Sequence, residues 1–244
     1  MASTAESVTG YMTDVQSPWL NELVEDVLKP LGEKGANHPV VKAIEAGEFP
    51  RDKLCKLMSD LCWVITGFPE YVAALAARTP KNEERIKSAL LENAFVEREH
   101  PGFLAIMVDA LGGDGERIVT GTDWGYEFGE TTHSLRMIIE AYVYHRPWIE
   151  GIAATAVGVE SVTPAVFNGF RDAMLTHYGL TEDQVIWLDA HFSGGVEEEH
   201  GNEGLRILDR FVDKDDIETQ RACIAGAKLV CKGISVNLFD QFLN

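Results

Sequence analysis

The sequence predicts an all-α fold, a single helical bundle of about seven to eight helices. Three observations carry that reading. Amphipathic runs at helical spacing follow one another with short breaks. Strand-type alternation is almost absent. No Pro/Ser/Gly-rich linker or low-complexity segment divides the chain. Residues 1–16 are polar and read as a flexible N-terminus, and residues 17–244 read as one domain.

The elements follow in order. Ser17-Pro18 is a cap-and-proline start, and Lys29-Pro30 should stop that helix near Leu28. Asn37-His38-Pro39 opens a short helix ending at Gly47, with His38 as a turn residue. Pro50 starts a longer helix that Gly67-Phe68-Pro69 bends and that continues to Arg78. Thr79-Pro80 breaks the chain and Asn82 caps the next helix. That helix carries apolar positions Leu91, Phe95, Phe103, Leu104, Met107, Val108 and Leu111, and Gly112-Gly113 stops it. Pro101 should kink it just past His100, because its ring removes a backbone donor. Asp114 to Gly129 reads as irregular. Thr131 or Thr132 opens a helix with His133 and His145, the latter read as a core or pocket histidine. Arg146-Pro147 restarts the chain into Ile152–Val162, apolar on nearly every face and therefore central. Pro164 to Tyr178 is a further helix, and Thr181-x-x-Gln184 is a capping-box signal for the next. Asp215-Asp216 starts a final helix to Leu243, with Ile224, Leu229, Ile234, Leu238 and Phe242 as core candidates.

Charge narrows the function. The chain has 39 acidic and 21 basic residues, a formal charge of -18. Such a surface repels phosphate backbones and anionic lipid, so no nucleic-acid or membrane partner is expected. No apolar run reads as a bilayer span and no secretory signal opens the chain. Cys55, Cys62, Cys223 and Cys231 form no Cys-x-x-Cys pair and read as reduced core thiols, which suits a cytoplasmic location. A homodimer is compatible with these features.

The chemistry concentrates in Glu97-x-x-His100 and Glu197-x-x-His200. Residues three apart on a helix lie about 60° apart, so a carboxylate and an imidazole converge. Paired Glu-x-x-His motifs with bridging carboxylates are how helical bundles hold two iron or manganese ions. In so acidic a chain a Glu three before a His is also common on solvated helix faces. Context favours the site. Glu160 sits within the apolar central run, where an unpaired carboxylate costs several kcal/mol unless a cation offsets it. The alternative is that Glu160 lies past the buried stretch and caps the helix at Pro164.

These residues resemble the haem-oxygenase-like di-iron oxidases and oxygenases, a group related to thiaminase II and pyrroloquinoline quinone synthase. The resemblance runs from about Ser17 to the end. His38-Pro39…Gly47 and Phe68-Pro69-x-Tyr71 look like the family's N-terminal half. Asn93-x-x-x-Glu97-x-x-His100, Ala154-Thr155-Ala156-x-x-x-Glu160 and Trp187-Leu188-x-x-His191…His200 are similar, in order, to three ligand motifs of the fatty-acid decarboxylase that makes a terminal alkene. The third motif departs from the family pattern. It reads His191-x5-Glu197-x2-His200, with Glu for Asp and two extra residues. On one regular helix, nine residues put His191 opposite His200. Ser193-Gly194-Gly195 is the place where the helix could loosen and bring His191 back.

The resemblance implies oxygen activation at two Fe(II) ions. Glu97 would bridge or bind terminally, His100 and His200 would supply nitrogens, Glu160 and Glu197 oxygens, and His191 a sixth ligand. The implied substrate is a small carboxylic acid, an amino acid first, with dioxygen as co-substrate. Two rivals stay open: a metal-free cofactor-biosynthesis enzyme on the same fold, and a non-catalytic protein that binds partners through its acidic surface. A thiaminase II would need a nucleophilic cysteine near the central helices, and all four cysteines lie elsewhere.

Overall fold

Prolines and widened turns set where the helices of this chain begin and end. A computed structural model describes residues 17–121, 128–192 and 196–243, without the side chains of 196–199. The expected flexible segment 1–16 lies outside the described residues. Among the described residues there are about 11 helices and no strand, more than the seven or eight expected. The excess comes from breaks that periodicity does not reveal. The run from Pro164 to Tyr178 is two helices, Thr163–Phe167 and Phe170–Thr176. The stretch after Asp114 holds the short helix Gly115–Thr120, whose Arg117 amide donates to the Asp114 carboxylate at 3.1 Å.

Pro30 does not end the first helix. The helical path runs from residue 18 to residue 36 because Leu23–Leu28 widens to i→i−5 bonding, which makes room for the ring. His38 caps Pro39–Glu45, its Nδ1 accepting from the Val40 amide at 3.2 Å. Arg51–Ile65 and Phe68–Arg78 follow as read. The Thr181/Gln184 capping box is present, but it opens a 3-10 turn at Glu182–Gln184 before the next helix starts.

Six helices carry the residues of interest and are numbered in chain order. They are α1 Glu84–Glu97, α2 His100–Leu111, α3 Trp148–Val157, α4 Ile186–Phe192, α5 Val196–Phe211 and α6 Ile217–Asp240. The break between α1 and α2 falls before His100, where the sequence suggested a kink after it. The reason is steric: the ring of Pro101 collides with the carbonyl four residues back, which is that of Glu97. The helix therefore ends at Glu97, turns through Arg98-Glu99, and restarts with Pro101 in the first turn of α2.

The break also ends the apolar stripe read across both helices. On α1 the buried positions are Ile86, Leu90 and Glu97, while Leu91 and Phe95 are 47% and 64% exposed. Leu229 on α6 is likewise exposed, as is His145 at the end of Glu130–Tyr144. The helix Ile217–Asp240 is long and apolar enough to cross a membrane by length and composition, against the sequence reading. Of that apolar window, 61% is buried inside the fold.

Helix α3 is central, as its composition demands, and its last turn, Ala153–Val157, is a π turn. Two glycines of α5 press on the end of it. A Cβ on Gly201 of α5 would stand 3.2 Å from the Ser161 Cα and 2.6 Å from its Oγ. A Cβ on Gly204 would stand 3.0 Å from the Ala156 Cβ. The absent side chains let α5 approach the turn that carries Glu160.

Gly201→Ala should therefore destabilise the protein by about 1–3 kcal/mol through overpacking, despite the roughly 1 kcal/mol that Ala gains over Gly in a helix. The denaturant midpoint should fall with an unchanged slope. A variant more stable than wild type would show that α5 is not locked against the Glu160 turn.

Candidate metal centre

Glu97 and His100 meet because the chain breaks between them. Glu97 is the last residue of α1 and His100 the first of α2, both buried. The His100 Nδ1 lies 2.8 Å from Glu97 Oε2. From α4, His191 reaches the same carboxylate oxygen, with Nε2 at 3.9 Å. The His100 and His191 ring centroids are 4.3 Å apart. One donor atom from each of Glu97, His100 and His191 lies within 4.8 Å of the others.

His191 is oriented by its own helix. Its Nδ1 lies 2.9 Å from the Trp187 carbonyl, which can only accept, so the proton sits on Nδ1 and the Nε2 lone pair faces Glu97. The indole of Trp187 packs on the same imidazole at 4.6 Å. Burial pushes the His191 pKa down to about 4, only partly opposed by the Glu97 charge. At neutral pH it is a neutral imidazole, the form that binds metals.

Beside this cluster stands a second pair. Glu160 follows the π turn of α3 and is 2% exposed, so the capping alternative is not what the chain adopts. Its two oxygens are buried without a hydrogen bond of normal geometry. The His200 Nδ1 is 3.3 Å from Glu160 Oε2. Burial raises the Glu160 pKa; His200 and the Asn93 amide oppose the rise, and the Glu97 charge adds to it. The two halves thus lie within electrostatic reach of each other.

The nine-residue spacing of His191 and His200 needs no single helix. α4 ends at Phe192 and α5 begins at Val196, so the two histidines ride on separate elements. Ser193-Gly194-Gly195, where loosening was expected, lies outside the described residues. So does the Glu197 side chain, although its backbone belongs to α5.

Residues 63–233 match the family described as iron-containing redox enzymes. The chain belongs to that family. No curated protein matches it. Among solved structures, a TenA homolog from Pseudomonas syringae is similar at TM-score 0.78 and 15% identity, covering 91% of each chain. A domain of unknown function with a heme oxygenase-like fold, from Shewanella denitrificans, aligns at TM-score 0.70 and 13% identity over 91% of this chain and 93% of its own. A TenA homologue from P. horikoshii aligns at 0.66 and 15%, over 88% and 95%. At these identities the likeness establishes the haem-oxygenase-like fold.

The donor set of this chain suits a metal ion. It pairs a neutral imidazole with carboxylates, and it leaves both Glu160 oxygens desolvated and without normal partners. A narrow cavity of ≈ 40 Å³ meets the cluster at Glu97, His100, Glu160 and His191. Its other walls are mostly apolar, including Leu61, Ile65, Phe68, Phe167, Phe192 and Ile234, and among the described residues no Lys, Arg or Cys lines it. Sequence reading missed these walls, because cavity-lining and core-filling residues share one helical pattern. A wider groove of ≈ 380 Å³ runs between α1 and α5, and Asn93 and His200 line it. Burial holds the thiols of Cys62, Cys223 and Cys231 up at about 12, so they are poor nucleophiles.

In the metal-free protein, stability should fall as pH drops from 6.5 towards about 4, because the unfolded histidine takes a proton that buried His191 refuses. The effect is up to about 3 kcal/mol. Glu160 acts in the opposite sense: its raised pKa contributes stability at low pH that is lost as pH rises above 4.5. Chemical denaturation across this range should show a shallower acid loss in His191→Gln and a smaller loss with rising pH in Glu160→Gln. Wild-type slopes in both variants would contradict the assigned protonation states.

Proposed function

We propose that this protein is a non-haem iron oxidase or oxygenase that uses two Fe(II) ions and dioxygen to oxidise a small carboxylic acid. The observation that carries the reading is the buried Glu97/His100/His191 cluster with buried Glu160 and half-buried His200 paired beside it. Glu97, His100 and His191 would hold one ion. Glu160 and His200 would hold the other, with Glu197 adding an oxygen and Glu97 shared between them. Iron(II) bound there supplies the electrons that reduce dioxygen.

The protein's own groups do the rest. Trp187, through its carbonyl, keeps the His191 lone pair aimed inward. The apolar walls exclude water and select the non-reacting part of the substrate. That lining favours a carboxylate with an apolar remainder, so an amino acid with a hydrophobic side chain is the first candidate and a short fatty acid the second. Desaturation, C–C cleavage, decarboxylation and N-oxygenation all fit, and no residue near the cavity selects among them. The family match supports iron-dependent redox chemistry over a metal-free cofactor-biosynthesis enzyme or a non-catalytic binding protein.

Protein loaded with ferrous iron without air should bind about two ions per chain. Glu160→Ala should lose about one of them, while the melting temperature of the metal-free form holds or rises, because a buried charge is removed. On admitting oxygen, leucine, valine, hexanoate and octanoate should be compared for oxygen uptake and transient visible absorbance. One of them should accelerate both, and His100→Ala should abolish the effect. The productive compound should also tighten iron binding, since linkage is reciprocal. Flat uptake across the panel, with His100→Ala holding as much iron as wild type, would sink the oxidase reading.

A further inference from the structure

We propose that the indole N–H of Trp187 is the neutral donor that receives the oxygen end of the ligand inside the cavity. This rests on the reading of the cavity as a substrate site and names the group that orients a carboxylate there. Trp187 lines the cavity and is 3% exposed. Its Nε1 is buried and has no hydrogen-bond partner among the described residues. Buried donors are almost always paired, and an exception calls for a reason.

Local polar groups do not supply the missing acceptor. The Trp187 carbonyl is taken by His191, and the Thr163 hydroxyl, the cavity's other neutral polar side chain, donates to the Glu160 carbonyl at 3.4 Å. The fold does satisfy an indole elsewhere: Trp148 donates to the Leu75 carbonyl at 2.9 Å. Among the described residues no Lys or Arg lines the cavity, so they offer no ion pair from the wall to hold a carboxylate. Beside a bound metal ion, a desolvated neutral donor is what the wall can offer, and it is strongest towards a charged acceptor. Phe192 stands edge-on to the indole at 5.6 Å, half-buried at the end of α4.

The test deletes only the donor. Trp187→Phe keeps the carbonyl that orients His191 and an aromatic ring against it. Trp19→Phe is the control, since that indole is also buried without an acceptor but lies outside the cavity. Zinc-loaded full-length protein, which is redox-inert, is titrated with hexanoate by calorimetry. Metal-stripped protein is titrated with hexanamide, a neutral oxygen acceptor that the glutamates do not repel. Trp187→Phe should weaken both by roughly ten- to a hundredfold, and Trp19→Phe by less than twofold.

If Trp187→Phe does not fold, the indole ¹⁵N–H resonances of the wild type give the same answer. One of the five should move downfield on adding either compound. Unchanged affinity in Trp187→Phe, or five unmoved indole resonances at saturation, overturns the proposal. The oxidase reading stands or falls separately, because neither titration involves iron or oxygen.

Discussion

Two carboxylates buried side by side are the constraint around which this fold is arranged. Glu97 and Glu160 are both nearly sealed from water, and burial and the Glu97 charge both oppose ionisation of Glu160. Hydrocarbon packing alone would not tolerate that arrangement; a buried charge persists only with partners or a cation. The chain answers with three imidazoles, two sealed and one at the wall of an open groove. The electrostatic problem and the candidate function are thus the same feature seen from two sides.

The donors are supplied by irregularities in the helices. Glu97 and His100 flank a proline-imposed break, Glu160 follows a π turn, and His191 sits one residue from the end of α4. A regular helix repeats its faces every 3.6 residues and offers few ways to aim four side chains at one point. Breaking it frees each donor from that repeat. Broken or widened turns cost local hydrogen bonds, and such costs are retained where function needs them.

Much of this was legible in the sequence, for identifiable reasons. The helical class followed from periodicity, and Glu160 stood out because an acid in an all-apolar run has few structural explanations. The place of the α1–α2 break was not legible, since Pro101 announces an interruption without saying on which side the residues turn. Leu91 and Phe95 fit an apolar stripe along one continuous helix, yet they lie exposed because the helix is broken. His191 falls opposite His200 only if the spacing is taken along a single helix, whereas it belongs to α4 and His200 to α5. The apolar walls of the cavity carried no signal of their own.

The break before His100 changes how the two Glu-x-x-His motifs compare. Their letters match, yet the first spans the end of one helix and the start of another, fixed by the four-residue reach of a proline ring. The second lies within the unbroken backbone of α5 and is followed by Gly201, not by proline. The pair is therefore not an internal repeat in the structural sense, and no pseudo-twofold axis need relate its members. In a comparison of sequences, Glu-x-x-His-Pro and Glu-x-x-His-Gly should be treated as two different signatures, each with its own tolerance to insertion. One lost residue at 98 or 99 would detach His100 from Glu97 by shortening a turn, while the same loss within α5 would rotate a whole helical face.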